Sequence, residues 1–210
     1  MTSLSGGRAR PAPAEHGDRR RPVDRGSRIL RWLRESDPVR PLGLAVWLGL
    51  AGACLVVFGA SLEGLVAAAG LAVLVVVTIT DVERRIVPNR VVLPALAAAL
   101  VVQTARDPGL EWLAAAAVGG GFYLALALVY PAGLGMGDVK LAAFLGAWLG
   151  WEVLVALFLA SMLALAPALA ILLRRGAAGR KTALPYAPFM ALGGVIALFL
   201  GDRMLDAWLG

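Results

Sequence analysis

Apolar positions run almost unbroken from residue 41 to residue 80, where Glu63 is the one charged side chain, and residues 112–137 carry no charge at all. Soluble domains interleave their apolar residues with charge, and this chain does not. About 20 consecutive apolar residues cross a bilayer as a helix. The pattern predicts helical spans near 42–60, 64–80, 90–105, 112–131, 139–150, 153–173 and 186–202. The breaks between them fall at Glu63-Gly64, 81–89, "RDPGLE" (106–111), "PAGLGMGD" (131–138), "GWE" (150–152) and "RRGAAGRKTALP" (174–185). The segment 139–150 is short, about 18 Å of helix, so it is tilted or begins within the membrane. The expected fold is all-α, a multi-pass transmembrane bundle of six to seven spans. Composition agrees: 60% of the 210 residues are hydrophobic and the mean hydropathy is +0.78.

Charge divides the chain in two. The net charge is +6, and residues 1–40 hold ten Arg against five acids among Pro, Gly and Ser. Such a stretch cannot bury enough surface to fold, so 1–40 is expected to be a disordered cytoplasmic tail ahead of a membrane domain, 41–210. A nucleic-acid partner is not expected, because no aromatic residues interleave the basic ones. Arg19–Arg21 do not make an export signal, since the first apolar run starts about 20 residues later and is long enough to stay in the membrane.

Seven spans with the N-terminus inside put 18 of the 20 basic residues on the cytoplasmic side, leaving Arg106 and Arg203 outside. Dropping the short span throws the 174–181 cluster to the wrong face. In the same arrangement Glu63, Asp107, Glu111, Glu152, Asp202 and Asp206 face outward. Asp81, Glu83 and Asp138 fall on the cytoplasmic side, with Asp81 ending one span and Asp138 starting another. The predicted location is the cytoplasmic membrane.

Elimination then narrows the chemistry. A serine or cysteine nucleophile needs a base beside it, yet the one histidine, His16, lies in the tail and Cys54 is the one cysteine. Ser61 and Ser161 therefore have no evident activator, and no zinc ligand set is present. Carboxylate chemistry remains. Two aspartates held close share a proton, so one can act as general base on a water while the other acts as general acid. The plainer alternative is that Asp81 closes a loop and Asp138 caps a helix start, where Asp is common. The glycines of "GLGMGD" weigh toward a site at Asp138, because they suit close approach of another backbone. Helix dipoles add an expected asymmetry: Asp138 at a helix start is the ionised partner, and Asp81 at a helix end the protonated one. Of the remaining features, Arg84, Arg85 and Arg90 are topology anchors, Gly146 and Gly150 a helix-packing spacing, and Gly119–Gly121 a place for close helix contact. The two prolines of "ALPYAP" (183–188) punctuate a helix entry.

These residues resemble those of a known family. "GMGDVKLAAFLGAWLGW" (135–151) resembles the GxGD signature of type IV prepilin peptidases, membrane aspartic proteases that process pilin and pseudopilin precursors. "TDVERRIVPNRVVLP" (80–94) is similar to the segment bearing their first catalytic aspartate, and "LPYAPFMALGG" (184–194) to their last helix entry. The resemblance covers roughly 64–200. It implies Asp81 and Asp138 as the catalytic pair, Gly135, Gly137, Lys140, Pro88 and Asn89 as the supporting motif, and prepilin-like precursors in the bilayer as partners. It implies no metal and no cofactor. Larger members carry paired CxxC motifs with an N-methyltransferase; one cysteine here implies a stand-alone peptidase without methyl transfer. Glu83 is the expected contact for a basic leader. Two other readings stay open: a signal-peptide-peptidase-like protease, whose Tyr-Asp and Pro-Ala-Leu motifs differ from Thr80-Asp81 and Leu184-Pro185-Tyr186, and a proton-coupled transporter relaying through its carboxylates.

Overall fold

A computed structural model describes residues 39–130, 134–176 and 184–209. The tail over 1–38, Gly133 of the glycine run, and Arg180 and Lys181 of the last basic loop lie outside the described residues. Among the described residues seven α-helices follow one another: α1 Val39–Phe58, α2 Leu62–Arg84, α3 Asn89–Arg106, α4 Glu111–Val129, α5 Met136–Leu149, α6 Val153–Arg175 and α7 Ala187–Leu209, with a 3₁₀ turn, Gly150–Glu152, between α5 and α6. The order matches the predicted spans. The boundaries differ where polar residues cap a helix rather than end it: α2 runs one turn past Asp81, and α7 continues well beyond 202.

Among the described residues five stretches are long and apolar enough to cross a membrane: Arg40–Phe58, Leu62–Arg84, Glu111–Val129, Met136–Arg174 and Ala187–Trp208. The fourth takes in both α5 and α6. The helix α3 falls outside this set, because Asn89, Arg90, Pro94, Gln103 and Arg106 dilute its 18 residues. This is an all-α, multi-pass membrane protein.

Local chemistry explains the turns. Gly59, at φ +68, lets the chain leave α1 in a left-handed conformation. Ser61 then caps α2, its Oγ accepting from the Gly64 N–H at 3.1 Å. Gly150, at φ +71 and ψ −139, takes a conformation open to glycine alone and reverses the chain between α5 and α6.

Small residues determine which helices meet. Gly119 and Gly120 of α4 lie on Ala142, Ala143 and the Val139 carbonyl of α5, and Gly146 of α5 lies on the backbone of Ala115 and Ala116. These contacts run α4 and α5 antiparallel. Gly121 points into open space, so the "GGG" tract makes its close contact through two glycines. Gly193 and Gly201 of α7 pack on Ala156 of α6 and on Glu152 just before it, in the same antiparallel way. The most extensive packing is α4 on α5, α6 on α7 and α1 on α2, followed by α3 on α5 and α2 on α7. The bundle thus has two halves, α3–α4–α5 and α1–α2–α6–α7. Trp148 joins them, its indole seated against Gly70 and donating to the Val66 carbonyl at 3.2 Å. The buried Gln103 of α3 donates to the Trp148 carbonyl at 2.7 Å and accepts from Arg106 at 2.8 Å, so both its amide nitrogen and its amide oxygen have a partner inside an apolar core.

Candidate active site

Asp81 sits on the last full turn of α2 and is 6% exposed. A carboxyl so deep in an apolar bundle needs a donor. It finds one 106 positions away: the Ala187 N–H, at the start of α7, donates to its Oδ2 at 3.0 Å. Arg85, four residues on, supplies a nearby positive charge. Asp138 lies in the first turn of α5 and is partly exposed. Its Oδ2 reaches back to accept from the Gly135 N–H at 3.0 Å, the acidic half of a capping box.

The two carboxylates stand at the same end of the bundle. Between them the loop after α2 folds onto the start of α5. A Cβ placed on Gly137 would come 2.7 Å from Val87 Cβ, so glycine is what lets this loop approach. Gly135 has an ordinary extended backbone, φ −89, and room for a side chain; its contribution is its N–H. Pro88 caps α3, its carbonyl accepting from Val91 and Val92 at 2.9 and 3.1 Å. Asn89 Oδ1 accepts from Lys140 Nζ at 2.9 Å, tying the starts of α3 and α5 together. These five residues lie where the loop after α2 and the start of α3 meet the start of α5.

Two features differ from what the helix ends alone suggested. The dipole asymmetry is offset: the N-terminus of α7 delivers a backbone N–H to Asp81 just as the start of α5 does to Asp138, so each carboxylate rests at a helix N-terminus. Glu83 is already engaged. Arg40 of α1 grips it with two hydrogen bonds, Nε to Oε1 at 2.9 Å and Nη2 to Oε2 at 3.0 Å.

Sequence reasoning passed over Tyr123, Tyr186 and Arg40. Tyr123 lay inside an apolar run and Tyr186 between two prolines; the structure brings their hydroxyls within 2.9 Å. Arg84 and Arg90 stay exposed at this end, where anchors belong. Arg85 holds a left-handed conformation, φ 54 and ψ 42, as it closes α2 through its N–H to the Asp81 carbonyl at 2.8 Å. That conformation costs an L-residue about 1–2 kcal/mol. Arg85→Gly is accordingly expected to raise stability in detergent by about 1 kcal/mol, and Arg85→Val to lower it; a thermal midpoint that falls for both contradicts this account.

A cavity of about 400 Å³ opens at the other end of the bundle, lined in part by Glu63, Gln103, Arg106, Trp112, Trp148 and Glu152. Apolar core residues, among them Leu71, Leu74, Leu141, Leu145 and Met190, separate it from the aspartates. Among the described residues no three His, Cys, Asp or Glu side chains converge as a metal site.

Known proteins align with this part of the chain. The type IV leader peptidase family profile matches residues 68–171, which include both aspartates. A protein of Bacillus subtilis named prepilin leader peptidase/N-methyltransferase is 36% identical over 157 residues, 72% of this chain and 62% of its own. Proteins of the same name from Stutzerimonas stutzeri and Legionella pneumophila are 35% and 30% identical, over 65% and 73% of this chain and 50% and 56% of theirs. The chain thus spans between half and two thirds of the length of these relatives. No solved structure matches it. The family profile takes in both Asp81 and Asp138, and relatives of one name align over 65–73% of the chain, so residues 68–171 belong to the type IV leader peptidase family.

Proposed function

We propose that this protein is a membrane-embedded aspartic endopeptidase that removes the basic leader from prepilin-like or pseudopilin precursors. Asp81 and Asp138 are the catalytic pair: one takes a proton from the attacking water and the other protonates the scissile amide. The single observation that carries this is two carboxylates at one end of an apolar bundle, each oriented by a backbone N–H at the start of a helix. The distribution of basic residues supports placing that end at the cytoplasmic face, with the N-terminus inside. The matched region is the peptidase family's own, and we assign the chain cleavage without the methyl transfer named in its longer relatives.

Purified protein in detergent should shorten a peptide that joins a basic leader to an apolar helix, in buffer containing a metal chelator. An intact peptide overturns the reading. Proton flux into liposomes without cleavage supports a transporter instead, which the apolar core between the two polar ends does not favour.

Glu83 remains our candidate for reading the leader, now by exchange: a leader Lys or Arg takes the place of Arg40 on the carboxylate. An ion pair at the surface contributes little, so Glu83→Gln should raise KM only roughly threefold and leave kcat alone. The effect should vanish with a leader stripped of its basic residues; equal KM values on the basic leader sink the assignment.

A further inference from the structure

The mechanism just described makes no use of two tyrosines beside the aspartates. Tyr123, on α4, is 1% exposed, and its hydroxyl lies 2.9 Å from that of Tyr186. The Tyr186 hydroxyl also lies 3.3 Å from Ser161 Oγ on α6. Ser161 has one hydroxyl hydrogen and directs it to the Leu157 carbonyl at 2.9 Å. Ser161 can then only accept from Tyr186, and Tyr186, its own hydrogen committed, accepts from Tyr123. Donation runs in one direction, from Tyr123 through Tyr186 and Ser161 to Leu157, an arrangement in which each bond strengthens the next.

The two ends of this chain meet the two halves of the bundle. Tyr123 stands on α4, the close partner of α5, one turn from Gly120, which packs on the Val139 carbonyl next to Asp138. Tyr186 immediately precedes Ala187, whose N–H holds Asp81. The rings pack as well, with centroids 6.0 Å apart.

We propose that the Tyr123–Tyr186 hydrogen bond is a strap that sets the spacing of Asp81 and Asp138, making both tyrosines positioning residues for cleavage. The proposal rests on the aspartic-protease reading above. Spacing matters because paired carboxylates titrate as a unit, and the closer they stand the wider apart their two proton steps fall. A closed strap therefore gives a broad bell-shaped rate profile, and a loosened one a narrower bell. The groups facing the pair are Arg85 at the end of α2, the 186–187 backbone at the start of α7, Gly135 before α5 and Tyr123 on α4. Neither Phe substitution alters any charge among them near neutral pH.

The test compares Tyr123→Phe, Tyr186→Phe and the double variant in the full chain, with the leader peptide as substrate. Each single variant should lower kcat roughly tenfold or more with little change in KM, since misplacement of reacting groups by even ~1 Å is costly. The double variant should lose no more than either single one, because both changes break the same bond. The pH profile of kcat should narrow, which a loss of folded protein alone cannot produce. A readout independent of activity is the distance between spin labels at Leu128 on α4 and Leu192 on α7, both exposed, in a Cys54→Ala background. It should broaden or lengthen in Tyr186→Phe. Unchanged kcat, an unchanged profile width or an unchanged label distance each overturns the strap. Cleavage surviving in Asp81→Asn and Asp138→Asn overturns the protease reading instead, and the label distance still decides the strap.

Discussion

Asp81→Asn and Asp138→Asn should each abolish leader cleavage, with kcat falling by at least the roughly 10²–10⁴-fold that a positioned acid or base supplies. The two losses should be alike, because the carboxylates act as one unit and removing either leaves the other without its complement. Asparagine keeps an oxygen able to accept from the Ala187 or Gly135 N–H. The cap at each position therefore survives, and the thermal midpoint should move little. That combination separates chemistry from folding: an inactive but stable variant has lost a proton carrier, whereas an inactive and unstable one has lost a helix junction. Asp81 is the more exacting of the two, because it is buried and its partner lies on another helix. Normal cleavage by both Asn variants removes the aspartates from the mechanism altogether.

Gly146→Ala should be the most damaging small substitution in the bundle. A methyl group there runs into the Ala115 carbonyl and comes 2.7 Å from Ala116 Cα, and both are backbone atoms that cannot rotate away. Overpacking of this kind costs typically ~1–3 kcal/mol. Because α5 carries Asp138 at its other end, the shift should also lower kcat. Gly121→Ala provides the control. Its Cβ meets nothing within 4 Å, and alanine is favoured over glycine in a helix by ~0.8–1.0 kcal/mol, so this variant should be as stable as the parent or more so. Thermal midpoints in one detergent, measured with cleavage rates, check both. Equal stability of the two variants contradicts the close α4–α5 packing.

The sequence by itself determined the class of this protein and singled out its candidate site residues. Apolar run length and the interruptions between runs are local properties, and a membrane-spanning helix satisfies its backbone within its own segment. Seven helices could therefore be ordered, and Asp81 and Asp138 singled out, with no knowledge of how the helices pack. The glycines were legible as contact points for the same reason, though which of the three at 119–121 bear on α5 depends on helix rotation. The tertiary structure alone decided who meets whom. The Ala187 N–H reaches Asp81 across 106 positions, Arg40 takes Glu83 across 43, and Tyr186 finds Tyr123 across 63. None of these pairs leaves a local signature, because any tyrosine in an apolar run or arginine ahead of a span reads alike until a neighbouring helix is placed against it. Burial supplies the physical reason they form: a polar group enclosed in this bundle must find its partner there, wherever in the chain that partner lies.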